Sequence, residues 1–272
     1  MKIHLDGVIL HYDLVGTGRP ILLLHGQSAD HRYLRHELAP IFESRPGWMQ
    51  IYLDLPGHGQ SESTNQIHTH AQILDLLLEF LGWVIPQQRF AVLGASYGGY
   101  LARCLLRNES TRVDGLALIA PMMVANQEKR AVPQHRILQS NPELLATLSP
   151  ETQWIFEDYI IVQTEEAARQ IETLMNPARA VRDKELLARL ASSEDCSFHL
   201  AEPFENPTLI LTGRQDSVVG YQDQWKILED FPRATYAVLD KAGHFLWVAE
   251  QRPLATMLIQ EWLDRIEAES SC

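Results

Sequence analysis

A layered α/β fold built on a mostly parallel sheet is what this sequence predicts, and three observations carry the prediction. Short continuous apolar runs recur along the chain, helical patterns lie between them, and an Asp-Gly pair near the start separates two strand-like segments. Apolar runs without polar alternation suit strands buried on both faces, which is what a parallel sheet covered by helices supplies. Strands alternating with helices then imply right-handed crossovers between layers.

Taken in order, KIHL and VILHYDLV flank Asp6-Gly7, a strong two-residue hairpin signal, so the chain opens with antiparallel strands. The buried runs follow: Ile21 to Gly26, Met49 to Leu55, Phe90 to Ala95, Val113 to Pro121, Thr208 to Gly213 and Thr235 to Asp240. The clearest helix between them places Ile73, Leu76, Leu77, Phe80, Leu81 and Val84 on one face. One connection is anomalous, because about 85 residues separate Pro121 from Thr208, where a crossover needs roughly a dozen. That interval carries helix starts of its own, at Ser149-Pro150, at Thr164 and near Asp183. Residues 122–203 are therefore expected to form a helical cap inserted into a core made of residues 1–121 and 204–272.

A formal net charge of −12 and a pI near 5.3 leave no basic footprint for nucleic acid or an anionic membrane. The start lacks the pattern of a secretory signal, and the longest apolar stretch, Ile73 to Ile85, is short and interrupted by Asp75 and Glu79. The expectation is a cytoplasmic protein whose partner is a small molecule. Cys104, Cys196 and Cys272 have no CxxC spacing, which argues for reduced thiols rather than a disulfide framework or a zinc site.

The chemistry concentrates in FAVLGASYGGYLARCLL, where a buried strand turns into a helix within the few residues around Ser96. Gly94 to Gly98 match GxSxG, in which small neighbours permit a sharp strand-to-helix turn that pushes the serine hydroxyl out at the carboxyl edge of the sheet. The alternative is a serine that merely caps the helix. As a nucleophile it needs a histidine base and an acid to orient that base, in the chain order Ser, Asp, His. Asp216 in LTGRQDSVV and His244 in LDKAGHFLW each follow an apolar strand and so emerge at the same edge. The Tyr97 amide and the Gln27 amide after LLLHG are the expected oxyanion donors. His25 beside its strand end and His58 within PGHG are read as packing or loop residues, and Asp54 as an organiser of the DLPGHG turn. His68, His70 and the remaining histidines show no ligand spacing on a helix face, so no metal is assigned.

With LLLHGQ, DLPGHGQS, GASYGG, GRQDSVV and AGHF in this order, the sequence resembles the α/β-hydrolase superfamily over nearly its whole length, apart from the cap. The resemblance implies the α/β-hydrolase fold: an eight-stranded, mostly parallel sheet with helices on both faces and a cap after strand 6. It also implies a Ser96, Asp216, His244 triad working without metal or organic cofactor. Serine rather than aspartate at the elbow disfavours the epoxide hydrolase and haloalkane dehalogenase branches.

The functional expectation is a serine hydrolase that cleaves a small or medium-sized, largely uncharged ester or related acyl compound through an acyl-enzyme. Carbon-carbon bond hydrolysis or a lyase reaction would use the same constellation, and a ligand receptor without turnover would keep the same fold. Met122, Met123, Trp154, Tyr159 and Trp247, together with Phe156, are candidates to line the substrate pocket or simply to pack between cap and sheet.

Overall fold

A computed structural model describes residues 1–62, 64–194, 196, 198–248 and 250–269 of the chain. Cys272 lies outside the described residues, while Cys104 and Cys196 are buried free thiols.

Eight strands form one sheet in the order β1-β2-β4-β3-β5-β6-β7-β8, with β1 (Lys2–Leu5), β2 (Val8–Val15), β3 (Arg19–Leu24), β4 (Trp48–Leu53), β5 (Phe90–Ala95), β6 (Val113–Ile119), β7 (Thr208–Gly213) and β8 (Ala234–Leu239). The opening hairpin closes through Asp6 and Gly7, both at positive φ (40° and 77°), so that Leu5 faces Val8. Asp-Gly populates that mirror-image turn at low steric cost, which is why the sequence signal located it. β2 pairs antiparallel with β1 and β4, and every later pairing is parallel. All residues of β5 and of β7 are buried, as their uninterrupted apolar runs require. β8, at the sheet edge, is mostly half-exposed.

The crossovers are helical. α1 (His31–Glu43) joins β3 to β4, α2 (His70–Val84) joins β4 to β5, and α3 (Tyr97–Glu109) joins β5 to β6. α2 starts at a capping box in which the Thr69 hydroxyl accepts from the Gln72 amide and the Gln72 side chain accepts from the Thr69 amide. It buries Ile73, Leu76, Leu77, Phe80 and Leu81 along the predicted stripe, and Val84 is half-buried at its end.

After β6 the chain leaves the sheet and passes through α4 (Pro142–Leu145), α5 (Pro150–Tyr159), α6 (Glu165–Gln170), α7 (Asn176–Val181) and α8 (Lys184–Ala191). Side chains of Ser149, Thr164 and Asp183 cap α5, α6 and α8, the three starts marked in the sequence. A π turn, Ile171–Met175, joins α6 to α7 without a break; its wider winding has no signature in the apolar pattern, and such turns recur at functional sites. Beyond β7 come α9 (Gln222–Trp225) and α10 (Arg252–Glu269), the latter lying against β6 and β7 with Trp262 fully buried. Among the described residues, no helix is long and apolar enough to cross a membrane.

This topology fixes where a site can form. β3 lies between β4 and β5, so the connections leaving β3 and β5 diverge to opposite sides and open a crevice at their carboxyl ends. Gly26 and Gln27 follow β3, and Ser96 follows β5, which brings the two segments to the rim of that crevice.

Candidate active site

Ser96 sits at φ 52° and ψ −114°, a conformation that a residue with a side chain adopts only under constraint. The constraint is visible in its neighbours. A Cβ on Gly94 would stand 2.2 Å from the Gly98 carbonyl oxygen, and one on Gly98 would stand 2.1 Å from that of Leu24. Strand, turn and helix therefore approach more closely than any alanine permits, and the turn has nowhere to relax. Gly98→Ala is expected to cost on the order of 3 kcal/mol or more, read as a lower urea midpoint or loss of soluble protein. An unchanged midpoint would mean that the tight approach is not needed.

The Ser96 side chain makes no helix-capping bond, which disposes of the alternative weighed from the sequence. Its Oγ lies 3.0 Å from His244 Nε2, and His244 Nδ1 lies 2.9 Å from Asp216 Oδ2. Asp216 is fully buried, and its other oxygen accepts the amides of Val218 (2.8 Å) and Val219 (3.0 Å) in the turn after β7. Those bonds aim the second oxygen at the imidazole. Because an ionised carboxylate only accepts, His244 donates from Nδ1 and turns the lone pair of Nε2 toward the hydroxyl.

A cavity of about 60 Å³ adjoins the hydroxyl, lined by Gln27, Tyr33, Ile119, Met175, Phe245 and Trp247 together with Ser96 and His244. A larger depression, about 610 Å³, lies at the amino ends of the strands among Arg19, Arg89, Asp114 and Glu269. That one is open and lined by ion-paired groups such as Arg89 and Asp114, so size does not single out the cavity beside Ser96. Among the described residues, neither the Gln27 nor the Tyr97 main-chain N–H meets a protein acceptor. The Tyr97 ring points away, buried with its hydroxyl 3.0 Å from His70 Nδ1.

Of the residues named from sequence for the pocket, Trp247 lines this cavity and the other five do not. Met122 and Met123 are buried, with the Met122 sulfur accepting from Arg130 and the Met123 carbonyl from Arg103. Trp154 is 42 % exposed, under the Arg179 guanidinium and edge-on to Tyr159. Tyr159 meets Phe245 on the side facing α5, and Phe156 is fully buried. Tyr33, Met175 and Phe245 line the cavity instead. Tyr33 is two residues into α1, Met175 ends the π turn and Phe245 follows His244, and no local pattern distinguishes them from core.

His25 and His58 serve the loops. His25 Nδ1 donates to the Gly26 carbonyl at 2.8 Å while Nε2 accepts the Leu55 amide at 3.0 Å, which pins the Gln27 loop to the end of β4. Burial pushes the His25 pKa down and drives that of His58 to about 4, so both rings are neutral. Trp247 is held from α1: Arg252 donates to its carbonyl and to both oxygens of Glu37. Burial, opposed by Arg252, raises the Glu37 carboxyl to about 7.

Residues 19–249 match the family described as alpha/beta hydrolase fold, and the chain belongs to that family; relatives named as esterases and hydrolases make it an enzyme of the hydrolase type. Among curated relatives, a pimeloyl-[acyl-carrier protein] methyl ester esterase from Aeromonas hydrophila is 28% identical, covering 84% of this chain and 89% of its own. Haloalkane dehalogenase 2 from Mycobacterium tuberculosis is 26% identical over 93% of this chain and 91% of its own. Among solved structures, an alpha/beta superfamily hydrolase from Oenococcus oeni PSU-1 superposes with a TM-score of 0.85 at 27% identity, covering 98% of this chain and 99% of that one.

Proposed function

We propose that the protein is a serine hydrolase acting on a small, largely uncharged carboxylic ester, with Ser96 as nucleophile and residues 122–203 as the cap over its pocket. The observation that carries this reading is the continuous hydrogen-bonded line from buried Asp216 through His244 to Ser96 Oγ, beside the two unengaged amides. His244 Nε2 takes the Ser96 proton as Oγ attacks the acyl carbonyl, and the Gln27 and Tyr97 amides receive the developing oxyanion. The protonated imidazole, held by Asp216, gives its proton to the leaving alkoxide. Water activated by the same nitrogen then releases the acid and restores the serine.

Two chemical points narrow the choice. Halide displacement by a carboxylate leaves an alkyl ester that water can hydrolyse, whereas displacement by Ser96 would leave an inert ether; the serine favours acyl transfer over the dehalogenase reaction of one relative. The cavity also favours short acyl groups, since at about 60 Å³ it is less than half the roughly 150 Å³ of an apolar cavity that takes up benzene. Its walls are mainly apolar, and the buried Trp247 indole N–H, without a protein acceptor among the described residues, is available to one polar group of the substrate.

A panel of p-nitrophenyl esters from acetyl to octanoyl tests the reading, together with a phosphonate probe and peptide mass mapping. Turnover should be highest for the shortest chains, with one equivalent of label on Ser96. Met175→Ala, which enlarges the pocket, should raise the kcat/KM ratio of hexanoyl to acetyl ester by roughly tenfold. Ligand-induced stabilisation with no turnover of any ester and no label would instead identify a receptor.

A further inference from the structure

Away from Ser96, two histidines and two carboxylates converge from three separate segments. His11 and Asp13 alternate on β2 and so share a face, His31 opens α1, and Asp54 follows β4. Asp54 is fully buried, and its carboxylate lies 3.0 Å from His11 Nδ1 through Oδ2 and 2.9 Å from His31 Nδ1 through Oδ1. The amides of His31 and Gln60 donate to the same group at 2.8 and 3.0 Å. With an acceptor-only partner, each imidazole carries its hydrogen on Nδ1 and turns Nε2 the other way. Both Nε2 atoms face Asp13: His11 Nε2 is 3.7 Å from Oδ1 and His31 Nε2 is 3.6 Å from Oδ2. These gaps exceed a hydrogen bond, yet the three ligand atoms all lie within 4.8 Å of one another.

We propose that His11, His31 and Asp13 bind one zinc ion, with Asp54 orienting both imidazoles from behind. The donor set is borderline nitrogen and carboxylate oxygen, which suits zinc among the divalent ions. Tetrahedral bonds of about 2.0–2.2 Å place donor atoms about 3.3 Å apart; the two nitrogens approach different oxygens of Asp13, so one oxygen reaches both only when the Asp13 side chain, 27 % exposed, rotates and the donor set, now within 4.8 Å, tightens around the ion. A histidine whose far nitrogen donates to a carboxylate is the usual outer partner of a metal ligand; here one buried carboxylate serves two. The charges of Asp13 and Asp54 together match a dication, and the open side of Asp13 leaves the fourth position to water.

Two cations approach Asp13, the half-exposed Arg35 guanidinium at 2.8 Å and the Met1 amine at 3.9 Å. Exposed pairs of this kind contribute little and give way readily. Nearby Asp30 is committed elsewhere, capping α1 and pairing with Arg32. A bound ion would tie β2 to the start of α1, and α1 begins where the loop bearing Gln27 ends. Its role is to brace that loop, not to take part in the reaction.

Isothermal titration of Zn²⁺ into chelator-stripped, dialysed protein tests the site. One equivalent should bind, and Asp13→Asn and His11→Gln should each weaken it at least about tenfold, while His36→Gln and His68→Gln, at exposed surface positions, should not. Zn²⁺ should also raise the Tm of the wild type and leave that of Asp13→Asn unmoved. Since Asp13 lies at the rim, circular dichroism should show that its variant is folded, and Co²⁺ substituted for zinc should give the intense visible bands of a four-coordinate site in the wild type alone. Absence of a saturable equivalent, or stoichiometric binding indifferent to both ligand substitutions, would overturn the proposal.

Discussion

Ser96→Ala is expected to lower kcat/KM for short-chain esters by roughly 10³- to 10⁶-fold while leaving the protein folded. Removing Oγ deletes the proposed nucleophile, but the bonds that fix the elbow belong to the main chain: the Ser96 amide donates to Ile119, and the Ser96 carbonyl accepts from Tyr100 and Met122. Alanine retains all of these and keeps the Cβ that packs 3.0 Å from where a Gly26 side chain would begin. The lost hydrogen bond to His244 should shift stability by about 1 kcal/mol or less. His244→Ala should cost about as much activity as Ser96→Ala, and the double variant little more than either, because the side chains act as one unit. Turnover within tenfold of wild type in Ser96→Ala would remove the mechanism, whatever the fold.

Much of this arrangement was legible in the sequence, for reasons that differ residue by residue. The elbow could be located because close packing leaves only glycine possible at positions 94 and 98, and that demand is written locally. Asp216 and His244 were found because strands β7 and β8 are continuous apolar runs and the partners follow their ends directly. The pocket was much less visible. Trp154 and Tyr159 are aromatic and sit in the inserted segment, as a substrate contact would, yet α5 turns them toward Arg179 and Phe245 instead. Met175 reaches the cavity by way of the π turn, whose register shift no 3.6-residue periodicity announces. The His11, Asp13, His31 and Asp54 cluster was invisible for a related reason: only two of its members share an element, and those alternate along a strand, where ligand spacing on helix faces does not look.

Asp54→Ala is expected to be the most destabilising single change in the frame, by roughly 3–5 kcal/mol at neutral pH. Its carboxylate gathers donors from both histidines and from the amides of His31 and Gln60, and the substitution would leave both imidazoles and the His31 amide buried without this partner. Asp54→Asn should recover only part of the loss, because its NH₂ would confront donors. The dependence on pH follows from the same bonds. Burial disfavours the charge, but the hydrogen bonds from the His31 side chain and from the His31 and Gln60 amides more than compensate, holding the Asp54 carboxyl well below the usual carboxylate range. A depressed folded-state value means that the unfolded chain takes up the proton first on acidification. The contribution is thus complete above the ordinary aspartate value of about 4 and is lost as pH falls through the lower folded-state value. Urea unfolding followed by tryptophan fluorescence should accordingly show a wide gap between wild type and Asp54→Ala at pH 7, narrowing as the pH is lowered below that of ordinary carboxylates. A gap that is small at neutrality, or constant on acidification, would show that the turn after β4 is held by its Pro-Gly backbone and not by the charge beneath it.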